Sequence, residues 1–66
     1  NAPIAIAALT EAQADDPYSP TIAEALMFHY LREHRSQEAS VQFAKLVTLA
    51  PHSPITRDLL ARRRDP

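Results

Sequence analysis

The sequence predicts an all-α chain of about four helices arranged as antiparallel helical hairpins, and three observations carry that expectation. The figure Pro17-Tyr18-Ser19-Pro20 returns as Pro51-His52-Ser53-Pro54 thirty-four residues later, so the chain repeats internally. Apolar residues between these corners recur at steps of three and four rather than alternating. Alanine and leucine are the commonest residues, followed by arginine and proline, where β-branched and aromatic residues would mark strands.

The first helix is expected over residues 3–16, carrying Ala5, Leu9 and Ala12, and it stops at Pro17 because a proline bars helical geometry from the residue it follows. Ser19 then has the place of an N-cap, with Pro20 at the first helical position, where a missing N–H costs nothing. Over residues 20–33, Ile22, Ala23, Leu26, Met27 and Tyr30 fall on one helical face. Phe28 and Leu31 lie outside that stripe, and a helix apolar on so much of its circumference is covered on more than one side.

The polar run His34-Arg35-Ser36 breaks the pattern, with Ser36 expected to cap a third helix. Val41, Phe43, Ala44, Leu46, Val47 and Leu49 supply the apolar side of that helix, Phe43 being its expected core aromatic. Two amphipathic helices joined by so short a turn make an αα-hairpin. Pro51 ends the third helix, and Ser53 with Pro54 starts a fourth over residues 54–64, which carries Leu60 and Ala61.

At the thirty-four-residue offset Ala5 matches Ala39, Leu26 matches Leu60, Leu9 meets Phe43 and Glu24 meets Asp58. Within the period the chain reads Ala23-x2-Leu26-Met27-x2-Tyr30, then Ala39-x3-Phe43, then Pro51. This resembles the tetratricopeptide repeat (TPR), whose pattern is W-x2-L-G-x2-Y, A-x3-F and P at the same spacings. The departures are Ala23 for the tryptophan, Met27 for the first glycine, His34 for the turn glycine and Leu46 for the small residue after Phe43. Met27 is expected to push the two helices further apart than a glycine or alanine would. The resemblance implies a fragment of a right-handed α-solenoid: residues 3–16 the second helix of a partial repeat, 20–53 one complete repeat, and 54–64 the first helix of a next repeat or a capping helix.

Composition narrows the functional classes. Seven Lys and Arg against eight Asp and Glu give a formal net charge of -1, so no global field draws the chain to nucleic acid or an anionic membrane. Glu11, Asp15, Glu24 and Arg32 interrupt the apolar stretches well short of the ~20 residues a spanning helix needs, and no membrane insertion is expected. Lacking cysteine, the chain has no disulfide framework and leaves the compartment open, cytoplasmic or periplasmic. It begins at Asn1 with no initiator methionine or signal-like segment, as expected of an excised or processed piece.

No constellation points to catalysis. There is no glycine-rich phosphate loop, no cysteine nucleophile and no serine in a triad context, and Ser19, Ser36 and Ser53 read as caps. His29 and His34 are five residues apart on different helical faces and His52 follows a proline, so neither a metal nor another cofactor is expected. Arg57 and Arg62-Arg63-Arg64 make the last helix basic, but cations favour a helix C-terminus and Asp58 and Asp65 dilute them, so no nucleic-acid partner is expected.

The resemblance implies instead a concave surface lined by first-type helices that holds a protein or peptide partner. The residues in that frame are Thr21, Glu24, Phe28, Leu31 and Arg32, continued by Ile55, Asp58 and Arg62. The lysines and asparagines that grip a C-terminal carboxylate in the co-chaperone branch of the family are missing, and Glu24 and Asp58 would repel such a ligand. Phe28, Leu31 and Ile55 rimmed by charge suit an amphipathic helix or an apolar peptide segment. The alternative is a structural assembly element: Ile4, Ala8 and Leu9 at one end and Ile55, Leu59 and Leu60 at the other are the apolar faces through which the fragment is expected to form homo-oligomers.

Overall fold

A computed structural model describes residues 1–63 of the chain. It holds four helices, α1 (Ala2–Asp15), α2 (Pro20–Arg32), α3 (Ser36–Leu49) and α4 (Pro54–Arg63), and no strand among the described residues. The remainder of the expected final helix, including Arg64, lies outside the described residues, as does Asp65. The thinnest principal extent is 16 Å, against 34 and 24 Å for the others, the thickness of two packed helix layers.

The two proline corners are built alike. Asp16 (φ -136°, ψ 77°) and Ala50 (φ -143°, ψ 65°) leave helical geometry before their prolines, and their N–H groups close the preceding helices on Ala12 and Leu46 at 2.9 and 2.8 Å. Ser19 Oγ then accepts from the Ile22 N–H at 3.3 Å, and Ser53 Oγ from the Thr56 N–H at 3.2 Å. The thirty-four-residue period of the sequence is therefore a period of backbone geometry and capping.

The α2–α3 connection stops its helix by other means. His34 has φ 58°, in the left-handed region, at the position the repeat pattern gives to glycine. Around it the Arg35 N–H donates to the Tyr30 carbonyl at 2.9 Å and the His34 N–H to the Leu31 carbonyl at 3.1 Å, the two bonds of a Schellman motif. Ser36 does not cap α3 as expected: it is the first helical residue, Arg35 is the N-cap, and no side-chain cap bond forms. Arg35 turns its guanidinium onto Glu38 instead, Nε reaching Oε1 at 2.9 Å and Nη2 binding Oε2, with its Cζ 4.9 Å from the centre of the Tyr30 ring. The Glu38 hydrogen bond is the main cause that raises the Arg35 pKa above its usual value.

The core gathers on α2. Ala23, Leu26, Met27 and Tyr30 are buried with Ile6 of α1 and Ala39 and Leu46 of α3. Met27 is buried, and α2 and α3 are the most closely packed pair, followed by α1 and α2. An unbranched, flexible side chain fits an irregular gap that a branched one would not.

Two details of α3 differ from the apolar stripe read in the sequence. Val41 is 55% exposed and Ala44 is exposed, whereas Gln42 is buried. From Ala39 the helical period carries the inward face to 42 and 46 rather than 41 and 44. Gln42 is tolerated because Gln13 of α1 answers both ends of its amide: Gln13 Nε2 donates to Gln42 Oε1 at 2.8 Å, and Gln42 Nε2 donates to Gln13 Oε1 at 3.2 Å. Phe43 is not the core aromatic expected of it: it packs half-buried against the cluster.

Candidate functional site

The fourth helix is fixed at its start. Thr56 is fully buried with its hydroxyl accepting from Ser53 Oγ at 2.8 Å, and Ile55 packs half-buried on the core. Further along, Leu59 and Arg62, one turn apart, face the tip of the α2–α3 hairpin across a trough of about 360 Å³. Met27 and Leu31 of α2 and Ser36, Ala39, Ser40 and Phe43 of α3 complete its lining.

Five of these side chains are hydrocarbon or thioether, so the trough offers dispersion and desolvation to a ligand rather than chemistry. The polar groups of the lining are two serine hydroxyls and the Arg62 guanidinium, whose Nε lies 3.2 Å from Asp58 Oδ2. Both partners of that ion pair are largely exposed, which limits its worth to a few tenths of a kcal/mol. A second hollow of about 340 Å³ lies between the first corner, at Pro17 and Tyr18, and the outer side of α3 at Ala44, Lys45, Thr48 and Leu49.

Of the residues expected to bind a partner, Leu31 and Arg62 line the trough. Leu31 is 46% exposed. Thr21 and Arg32 are exposed on α2 and Glu24 is half-buried, none of them in the lining. Phe28 and Ile55 are half-buried against the core cluster, and Asp58 reaches the site only through Arg62. Met27, Ala39, Phe43 and Leu59 could not be recognised as a binding surface by spacing, because each also reads as core or as an end face. Ser36 and Ser40 carry no distinguishing signal.

Among the described residues no group of three or more His, Asp or Glu side chains is placed to hold a metal ion, and no helix is long and apolar enough to cross a membrane. No protein-family model, curated protein or solved structure matches this chain.

Proposed function

We propose that this chain is a protein-interaction module of tetratricopeptide-repeat type, which docks an apolar segment of a partner protein, a peptide or one face of a helix, in the trough between α2, α3 and α4. The observation that carries the reading is the trough itself, an open hollow with five apolar side chains among its eight lining residues. Three further features support the repeat assignment: the equivalent corners, the left-handed residue at the turn-glycine position, and the 34-residue register of Ala5 with Ala39 and Leu26 with Leu60. In this reading the chain performs no catalysis and needs no cofactor. Leu31 and Phe43 supply the anchoring surface, Met27 the adaptable floor, and Arg62 the polar edge.

The test is a titration of isotope-labelled chain with peptides selected from a displayed library. Binding in the trough shifts the Met27, Leu31 and Leu59 methyl signals and the Phe43 ring. Leu31→Asp, which alters a half-exposed position and leaves the core alone, weakens it about tenfold or more. Peptides that shift only the Tyr18 and Lys45 hollow, or that bind Leu31→Asp undiminished, would overturn the assignment.

A further inference from the structure

The charges of this chain are sorted along its length. Residues 1–31 contain Glu11, Asp15, Asp16 and Glu24 and no lysine or arginine, while all seven lysines and arginines lie in residues 32–66 with the other four acidic residues. The sorting is sharpest between the two outer helices. Exposed on α1, Ile4, Ala8, Glu11 and Asp15 succeed one another at steps of four, three and four, a single stripe that is apolar in its first half and acidic in its second. Exposed on α4, Arg57, Leu60 and Ala61 form a stripe that is basic first and apolar next.

The internal period shows what becomes of the equivalent stripe when a neighbouring helix covers it. The counterparts of the α4 stripe thirty-four residues earlier are Ala23, Leu26 and Met27, which are 0%, 1% and 2% exposed inside the hairpin with α3. Leu60 is 37% exposed. Laid antiparallel on α4 with Glu11 opposite Arg57, an α1 helix from another molecule puts Ala8 beside Leu60 and Ala61, with Asp15 one turn beyond Arg57 and Ile4 one turn beyond Ala8. The step from charge to hydrocarbon is three residues on both helices, about 4.5 Å of rise, so the two stripes are in register. Among the described residues Glu11, Asp15 and Arg57 have no ion-pair partner within the chain, and Ile4 is 70% exposed.

We infer that this chain associates head to tail with further copies of itself, the acidic-apolar face of α1 in one molecule seating on the basic-apolar face of α4 in the next. The contact joins two different surfaces, so it leaves one of each open and propagates as a ring or an open stack. Among the described residues, Asp58, next to Arg57, is turned to Arg62.

Sedimentation of the chain from micromolar to millimolar concentration tests this. The expected result is a mass that rises with concentration and falls as added salt shortens the Debye length from ~10 Å at 0.1 M to ~3 Å at 1 M. Arg57→Glu, and separately the pair Glu11→Arg with Asp15→Arg, alter exposed positions and keep the helical circular dichroism. Each weakens self-association about tenfold or more, because the two stripes of one variant then carry the same sign. Mixed in equal amounts the two variants associate again, each supplying the face the other lost. Leu31→Asp leaves this association unchanged, and the charge variants leave peptide binding in the trough unchanged, which separates this interface from the proposed peptide site. A wild-type monomer at millimolar concentration, association that survives both charge reversals, or a mixture that stays monomeric would each overturn the inference. The last two results would assign the exposed faces to symmetric pairing or to a partner of another kind.

Discussion

The corners before α2 and α4 are the same device used twice, yet the helices they launch fare differently. Each has an extended residue before proline, a serine that caps the third residue on, and a proline at the first helical position. Leu26 of α2 is nevertheless 1% exposed and its counterpart Leu60 is 37% exposed. Helix α2 lies between α1 and α3, whereas α4 is held chiefly by Ile55, Thr56 and Leu59 near its start. Start signals are local and travel with four residues of sequence; burial is a property of neighbours and does not. Stability should therefore be graded along the chain, with α2 and α3 opening only on global unfolding and α4 opening below it.

The largest effect that can break this comparison comes from truncating the two counterpart leucines. Leu26→Ala removes a fully buried side chain from the meeting point of three helices and should cost about 2–5 kcal/mol. Leu60→Ala removes a partly exposed one and should cost less than about 1 kcal/mol in dilute monomer. Urea melts of both variants measure the difference. Equal costs would mean that α4 is as deeply embedded as α2.

A smaller effect sharpens the account of how α1 and α3 meet beside α2. The Gln13–Gln42 amide pair is the polar joint between them, with Lys45 Nζ adding a 3.2 Å bond to Gln13 Oε1. Gln13→Ala alone leaves the buried Gln42 amide unanswered and should cost about 1–3 kcal/mol, whereas replacing both by leucine should be close to neutral. A double-mutant cycle reads the coupling directly; additive losses would show that the pair contributes no joint stabilisation.

What was legible in the sequence divides along the same line between local signals and neighbours. The helices, their proline stops and the serines at 19 and 53 could be read because each signal acts within one turn of chain. The Gln42 inward face was hidden because its justification lies twenty-nine residues away at Gln13. Ser36 lost the cap position because Arg35 finds Glu38 and the Tyr30 ring once the hairpin has closed. Leu31 and Arg62 were identifiable as surface residues of the helices that follow the two serine–proline corners. Their joining with Ala39, Ser40 and Phe43 depends on where α4 lies, which no spacing announces.

The smallest predicted effect contrasts the two ways a helix ends in this chain, and it should change sign between them. Helix α2 stops at a residue held at φ 58°, where an L-residue with a Cβ crowds the neighbouring carbonyl and glycine does not. Helices α1 and α3 stop at Asp16 and Ala50, whose φ values of -136° and -143° any residue adopts. His34→Gly relieves the crowding, and although glycine adds entropy to the unfolded chain, the balance should favour the folded state by about 0.5–1 kcal/mol. Ala50→Gly brings the entropy cost without any relief and should destabilise by about 0.5–1 kcal/mol. His34 is exposed, and its side chain makes none of the hydrogen bonds that hold the turn, so little else is lost with the ring. Thermal melts of the two glycine variants, run at a concentration low enough to keep the chain monomeric, should move in opposite directions. Melting temperatures that fall together would show that the left-handed turn at His34 is not the conformation that ends α2 in solution.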